Sequence, residues 1–152
     1  MTTDFLLLQL LLIVSLVLSV SFLYYCLKHR EKRGVTPLVV MFVGIIVWIC
    51  SELLQIQLRG GEFAGVGMAL RLLGIEIGIV GVLFLSFEYT GRETWVNPRS
   101  SALLSVVPVL EVGLALSPWR ELFVEVEPSA VAPWGYEIGV TPLFLAHTVY
   151  SY

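Results

Sequence analysis

The chain has 152 residues, of which 57% are hydrophobic and only 14% charged, and its mean hydropathy is +0.88. A soluble domain carries about 25% charged residues. The composition therefore excludes an ordinary soluble domain and indicates an integral membrane protein. The formal net charge of −3 is uninformative by itself, because the charges are sorted between loops.

Four apolar runs, at 5–27, 37–58, 65–90 and 101–118, meet or approach the length of about 20 residues that crosses a bilayer as a helix. Backbone groups in lipid must be satisfied within the segment, so we expect helices and an all-α multi-helix bundle. The first run is almost free of polar side chains and should be the most exposed to lipid. A fifth run, at 141–152, spans roughly 18 Å and is too short to cross. It predicts either an incomplete piece of a larger membrane protein or a re-entrant or interfacial end.

The basic residues predict the orientation of the chain. Six lie in the loops after the first and third runs, and two lie in the loops after the second and fourth. Cytoplasmic loops carry the excess of Lys and Arg. We therefore expect a multi-pass protein of the plasma membrane with its N-terminus and its second and fourth loops outside. The six residues are Lys28, Arg30, Lys32, Arg33, Arg92 and Arg99; the two are Arg59 and Arg120.

The fourth loop, at 119–140, is acidic and has its own pattern. Val and Glu alternate before Pro128, and alternation resumes between Trp134 and Val140. Such alternation around a turn-rich stretch predicts a short external β-hairpin. Long structured loops are often functional, which makes Trp134 a candidate for contact with a ligand. A plain structured connector is the alternative.

The third run contains glycines at helical spacing, Gly67, Gly74, Gly78 and Gly81. Small residues four apart let a neighbouring helix approach closely, although membrane helices are also enriched in glycine generally. In the fourth run Pro108 removes a backbone hydrogen bond and predicts a bend near Leu104.

Ionisable side chains at membrane depth are costly and are therefore candidates for function. Glu52 and Arg71 each lie six residues from the outer end of a predicted span, about 9 Å deep, and can pair. Such a pair either binds a ligand or only stabilises helix packing. Glu76 and Glu111 lie near the midplane, about 16 Å deep. If they face one cavity, at least one holds a proton, which suits proton or cation sensing or binding of a polar ligand. Alternatively each is satisfied separately by a serine or another helix.

Catalytic and metal-binding motifs are not found in the sequence. His29 lies in a basic loop, and His147 lies on the apolar fifth run, where a packing or hydrogen-bonding role is expected. The two cysteines, Cys26 and Cys50, lack metal-ligand spacing and are expected to be free and buried. The basic first loop is interpreted as an orientation signal rather than a nucleic-acid site. We therefore predict no enzyme activity, no cofactor and no metal for this chain.

The stretch from Phe84 to Trp95 resembles the N-terminal seven-helix region of membrane histidine kinases. The similarity continues through Pro108, Ser117-Pro118-Trp119 and the opening of the fifth run. Glu88 also stands four residues before Arg92, an order that stabilises a helix end, and Tyr89 and Trp95 suit the interfacial aromatic belt. The motif residues are Glu88, Tyr89, Gly91, Arg92, Trp95, His147 and Tyr150.

The resemblance implies a sensory input domain that relays a stimulus to a cytoplasmic kinase or other output domain of the parent chain, with a homodimer as a possible assembly. The family has no catalytic residues in this region to carry over, and neither a phosphoacceptor-histidine motif nor an ATP-binding motif is found here. A fragment of a transporter or channel is the alternative, because buried carboxylates, Pro108 and a glycine-rich helix also suit a substrate path. A purely structural membrane subunit is a third possibility.

Overall fold

The computed structural model describes residues 3–58, 64–122, 124–129, 131 and 136–151. Four stretches of it are long and apolar enough to cross a membrane: Phe5–Lys28, Val35–Gln57, Gly65–Tyr89 and Pro98–Leu116. The expected mostly helical membrane class is thereby confirmed. The helices are α1 (Thr3–Lys28), α2 (Val35–Gln57), α3 (Ala64–Tyr89), α4 (Pro98–Leu104), α5 (Val106–Leu116) and α6 (Pro142–Ser151), and the strands are β1 (Val124–Pro128) and β2 (Tyr136–Val140).

Helix α1 packs on the outside of the bundle, as its apolar composition predicts. Ser19 and Cys26 are the buried side chains among its described residues. Phe22 stacks on Phe42 of α2, with ring centroids 5.6 Å apart. The expectation of two buried thiols is correct for Cys26 but wrong for Cys50, which is exposed on α2. A cysteine on an apolar helix packs as readily against lipid as against protein.

Helices α2 and α3 contact each other through their backbones. A Cβ atom built on Gly44 would lie 2.3 Å from the backbone nitrogen of Gly78, and one on Gly74 would lie 2.5 Å from that of Trp48. One on Gly81 would lie 2.5 Å from the nitrogen of Met41. Cβ atoms do not approach backbone this closely, so only glycine permits the observed spacing.

The other two predicted packing glycines behave differently. A Cβ on Gly67 would meet the flexible side chain of Gln55, 2.4 Å from its Cγ, rather than backbone. A Cβ on Gly78 would meet no atom of the described residues within 4 Å. Gly78 contributes its backbone as the surface against which Gly44 packs. The four glycines are therefore not equivalent.

The fourth apolar run forms two helices instead of one. Asn97 caps the first of them, since its Oδ1 accepts hydrogen bonds from the backbone nitrogens of Arg99 (2.9 Å) and Ser100 (3.0 Å). The helix is interrupted at Ser105, between Leu104 and Val106. Pro108 has no N–H to donate to the carbonyl of Leu104. The interruption thus lies beside Leu104, where Pro108 predicts a bend, and both helices belong to one candidate span, Pro98–Leu116.

The end of α3 is tied to the loop after α1. The Glu88 carboxylate accepts a hydrogen bond of 2.6 Å from the backbone nitrogen of Gly34, and Arg33 donates to the Glu88 carbonyl and pairs with Glu93. Glu88 therefore anchors a neighbouring loop, and none of its described contacts is with Arg92. Gly91 ends the helix with a φ of +76°, the left-handed conformation that glycine adopts at a helix C-terminus.

The segment between α5 and α6 forms the expected two-stranded antiparallel sheet. In the register of the two strands, Val124 pairs with Val140 and Val126 with Ile138. The second strand ends at Val140, and α6 begins at Pro142. One residue, Thr141, therefore separates the second strand from α6.

The glycine contacts predict a difference between two identical substitutions on one helix. Gly74→Ala should lower the free energy of unfolding by about 1–3 kcal/mol, the usual cost of overpacking, because its methyl group meets the α2 backbone. Gly78→Ala should be neutral or slightly stabilising. Both changes alter helix propensity equally, so the difference in unfolding midpoint, measured by denaturant titration in detergent, isolates the packing effect. Equal midpoints would contradict the described α2–α3 contact.

Candidate functional site

A first polar cluster joins α2 to α3. The Nε atom of Arg71 lies 3.2 Å from Oε1 of Glu52, and Nε1 of Trp48 donates to the same oxygen at 3.1 Å. The predicted pairing of Glu52 with Arg71 is therefore present. The Glu52 side chain is 11% exposed and that of Arg71 29%. One carboxylate oxygen thus receives two donors at the edge of the helix pair.

The same seam continues toward the end of α2 through neutral groups. The Ser51 hydroxyl donates to the carbonyl of Gly67 at 2.8 Å, and Nε2 of Gln55 donates to the Ser51 hydroxyl at 3.0 Å. Ser51, Glu52 and Gln55 are all buried. Their hydrogen bonds satisfy the polar groups that α2 presents to α3.

A second polar cluster lies between α3, α5 and α6. Nδ1 of His147 is 2.8 Å from Oε2 of Glu111 and 3.4 Å from Oε1 of Glu76. The exposed fractions are 2% for Glu76, 6% for Glu111 and 7% for His147. One ligand atom from each of the three residues falls within 4.8 Å of the others. The two midplane carboxylates therefore do share one site, and His147 lies between them. We call these three residues the carboxylate–histidine cluster.

Local structure positions Glu111 and His147 toward the interior of the bundle. Glu111 follows the break at Ser105 and projects from α5 toward α3, beside the buried Pro108. At the start of α6, Thr141 is buried and its Oγ1 accepts from the backbone nitrogen of Phe144 at 3.2 Å. That capping bond orients the first turn, which places His147 over the carboxylates.

The role of His147 was not predicted from the sequence, which suggested only a packing or hydrogen-bonding residue. One signal was available. Glu76 and Glu111 were both assigned to the midplane, and a buried carboxylate needs a donor or a cation. A histidine on a nearby apolar helix is a natural candidate, but nothing in the sequence shows that α6 packs against both α3 and α5.

Two cavities border the carboxylate–histidine cluster. One, of about 330 Å³, is lined by Arg71 of the first cluster, His147 of the second and Glu137 of β2. The other, of about 310 Å³, is lined by Glu76, Ser101, Ser105 and Pro108. The first cavity therefore connects the hairpin to both polar clusters, and the second extends from Glu76 toward the break in the fourth span.

The two clusters lie on different faces of α3. Arg71 and Glu76 are five residues apart on this helix, which at 3.6 residues per turn sets them about 140° apart around it.

The other predicted site residues lie away from these clusters or outside the described part of the chain. Trp134, predicted as a ligand contact, lies outside the described residues, as does the side chain of Tyr150. Tyr89 and Trp95 are exposed at the other end of the bundle, and the Trp95 ring lies 5.7 Å from that of Phe87.

Comparison with known proteins matches the chain to a family. A family model described as the N-terminal 7TM region of histidine kinase matches residues 11–152. The match covers α2 to α6, most of α1 and both polar clusters. No curated protein and no solved structure matches this chain.

The Glu52–Arg71 contact predicts a non-additive pair of substitutions. Arg71→Leu should lower the free energy of unfolding by about 3 kcal/mol, because it leaves a buried carboxylate without its cation. In the double variant with Glu52→Gln the two losses should fall short of their sum by about 1 kcal/mol or more. Denaturant titrations of the wild type, both single variants and the double variant in detergent measure this coupling. A harmless Arg71→Leu would show that the contact contributes no stability.

Proposed function

Because the chain belongs to the family of N-terminal seven-transmembrane regions of histidine kinases, we propose that it is a signal-receiving domain that relays a stimulus to a cytoplasmic output domain. The observation that carries the proposal is the carboxylate–histidine cluster. It joins three helices at a buried point, 2.8 and 3.4 Å from one imidazole nitrogen. A contact of this kind has alternative arrangements that a stimulus can favour.

The orientation we propose follows from the basic residues. Lys28, Arg30, Lys32 and Arg33 follow α1, and Arg92 and Arg99 follow α3. With these loops in the cytoplasm, the N-terminus and the β1–β2 hairpin lie outside the plasma membrane. The hairpin is then the part of the described chain best placed to meet an external stimulus.

The relay we propose begins where β2 leads into α6. Glu137 of β2 and His147 of α6 line the same cavity. A stimulus that moves the hairpin or fills this cavity alters the position of His147 relative to Glu76 and Glu111. Because those carboxylates belong to α3 and α5, the change passes to helices that continue toward the cytoplasm. The stimulus must bind the two arrangements with different affinity, since only then does it shift their populations.

The matched region is the sensory part of histidine kinases rather than the part that transfers phosphate. We assign kinase activity to the output domain of the natural full-length protein. The described residues contribute the input: a membrane bundle, two buried polar clusters and a hairpin.

One observation favours a second function, the passage of protons or cations. Cavities of about 330 and 310 Å³ border the carboxylate–histidine cluster, one lined by His147 and the other by Glu76. Buried carboxylates bordered by cavities suit a relay of ions. The two functions differ in a direct measurement: proteoliposomes loaded with a pH dye show ion flux for a transporter and none for a sensor.

The proposed orientation predicts the labelling of two introduced cysteines. In a background with Cys26→Ala and Cys50→Ala, Val131→Cys should react with a membrane-impermeant maleimide in intact cells. Lys32→Cys should react only after the membrane is permeabilised. Both positions are exposed, so accessibility to water is matched and only the side of the membrane differs. The reverse labelling pattern would place the hairpin in the cytoplasm.

The relay predicts that the cluster controls output. In the natural full-length protein, Glu76→Gln and Glu111→Gln should each change the rate of autophosphorylation by about fivefold or more, the lower end of typical coupling between sites. Glu121→Gln, the same change at an exposed position, should leave the rate unaltered. Unfolding midpoints of the three variants show whether each is folded. Folded variants with wild-type output would remove these carboxylates from the relay.

A further inference from the structure

We infer that Glu76, Glu111 and His147 together bind a divalent transition-metal ion of the zinc type. The binding itself follows from the geometry of the cluster. Its consequence for signalling, that the metal ion is a stimulus or a condition of output, rests on the proposed function.

The donor set has the composition of a known class of metal site. One imidazole nitrogen and two carboxylate oxygens are ligands for zinc, and related divalent ions accept the same donors. Donors at about 2.0–2.1 Å from a tetrahedral ion lie about 3.3 Å from one another. Nδ1 of His147 lies 3.4 Å from the Glu76 oxygen and 2.8 Å from the Glu111 oxygen. All three ligand atoms lie within 4.8 Å of one another, so the side chains need only a modest adjustment to bind one ion.

The charges in the cluster favour occupation by a metal ion over occupation by a proton alone. Two carboxylates meet at a single imidazole nitrogen, and all three side chains are at least nine-tenths buried. The one hydrogen on Nδ1 forms a good bond with only one carboxylate at a time. A divalent cation neutralises both carboxylates at once and accepts the lone pair of a neutral imidazole. It thus removes the energetic penalty of burying both charges.

The fold supplies the support and the access that such a site requires. The three ligands come from α3, α5 and α6, and α3 is held against α2 by direct backbone contact at Gly74. Three protein ligands leave further coordination positions for water or an exchangeable ligand. The cavity lined by Glu137 and His147 provides a route to these positions from the hairpin. Because the ligands are 35 and 36 residues apart (76 to 111 to 147), no short metal-binding motif marks them.

The test is zinc binding by the purified protein in lipid nanodiscs after treatment with a chelator. Titration with Zn²⁺ against a chromophoric competitor should give one site per chain, and X-ray absorption should show nitrogen and oxygen neighbours at about 2.0–2.1 Å. Glu111→Gln should weaken binding by at least about 100-fold, since even outer-shell partners contribute about 10–100-fold. Glu121→Gln should bind as the wild type does. If Glu111→Gln does not fold, His147→Gln is measured in its place.

Two outcomes would overturn the inference: wild-type zinc affinity in the folded cluster variant, or absence of stoichiometric binding by the wild type. The second outcome together with altered output in Glu111→Gln would leave the sensor proposal standing, with a proton as the occupant of the cluster. Stoichiometric binding at the cluster without any effect of Zn²⁺ on autophosphorylation would support the metal site and count against its role in signalling. Failure of the site and failure of the proposed function are thereby separated.

Discussion

Hydrocarbon offers no partner to a polar group, and this constraint governs how the bundle is assembled. Each ionisable side chain at membrane depth must meet a donor, an acceptor or a counter-charge from another part of the protein. Glu52 meets Arg71 and Trp48, and Glu111 meets His147. These contacts fix the rotation of α2, α3, α5 and α6 about their own axes, which apolar packing against equally apolar lipid would leave poorly determined.

Helix α3 makes different kinds of contact on its two sides. Toward α2 it presents Gly74 and Gly81, and the backbones approach so closely that no Cβ fits at either position. Toward α5 and α6 it presents Glu76, whose contacts are polar and bordered by cavities. Close-packed interfaces resist deformation, and the backbone contacts at Gly74 and Gly81 are of this kind. At the cluster two carboxylates share one imidazole nitrogen, so this is the side of α3 where we expect alternative arrangements.

The features that could be predicted from the sequence are those encoded locally or by neighbouring segments. Hydropathy located the spans, Pro108 located the interruption near Leu104, and alternation of Val and Glu located the hairpin. The Glu52–Arg71 pair was predictable because consecutive helices usually pack together and the two residues share a depth. Each of these inferences needs only the length of an apolar run, the position or period of particular residues, or the helix that comes next in the sequence.

What could not be predicted depends on contacts between distant segments. The position of His147 between Glu76 and Glu111 requires three elements to converge, and hydropathy does not specify which helices are neighbours. Glu88 bonds to Gly34 rather than pairing with Arg92, because the loop after α1 folds back onto the end of α3. Gly78 lies four residues after Gly74, on the face that the spacing predicts. A Cβ atom built on Gly74 would nevertheless meet the α2 backbone, whereas one built on Gly78 would not. Spacing along one helix identifies a face and does not identify what covers it.

The contrast between the two sides of α3 bears on the proposed relay. Backbone meets backbone at Gly44 and Gly74, so we expect a displacement of α6 to be taken up elsewhere: at the carboxylate–histidine cluster and at the interruption at Ser105, where the helix lacks the hydrogen bond that Pro108 cannot donate. On the proposal that a cation occupies the cluster, the ion would draw α3, α5 and α6 together, and its loss would leave two carboxylates that repel each other. Occupancy of one buried site would in this way change the helix spacing, which is the form of signal that a cytoplasmic domain joined to those helices can receive.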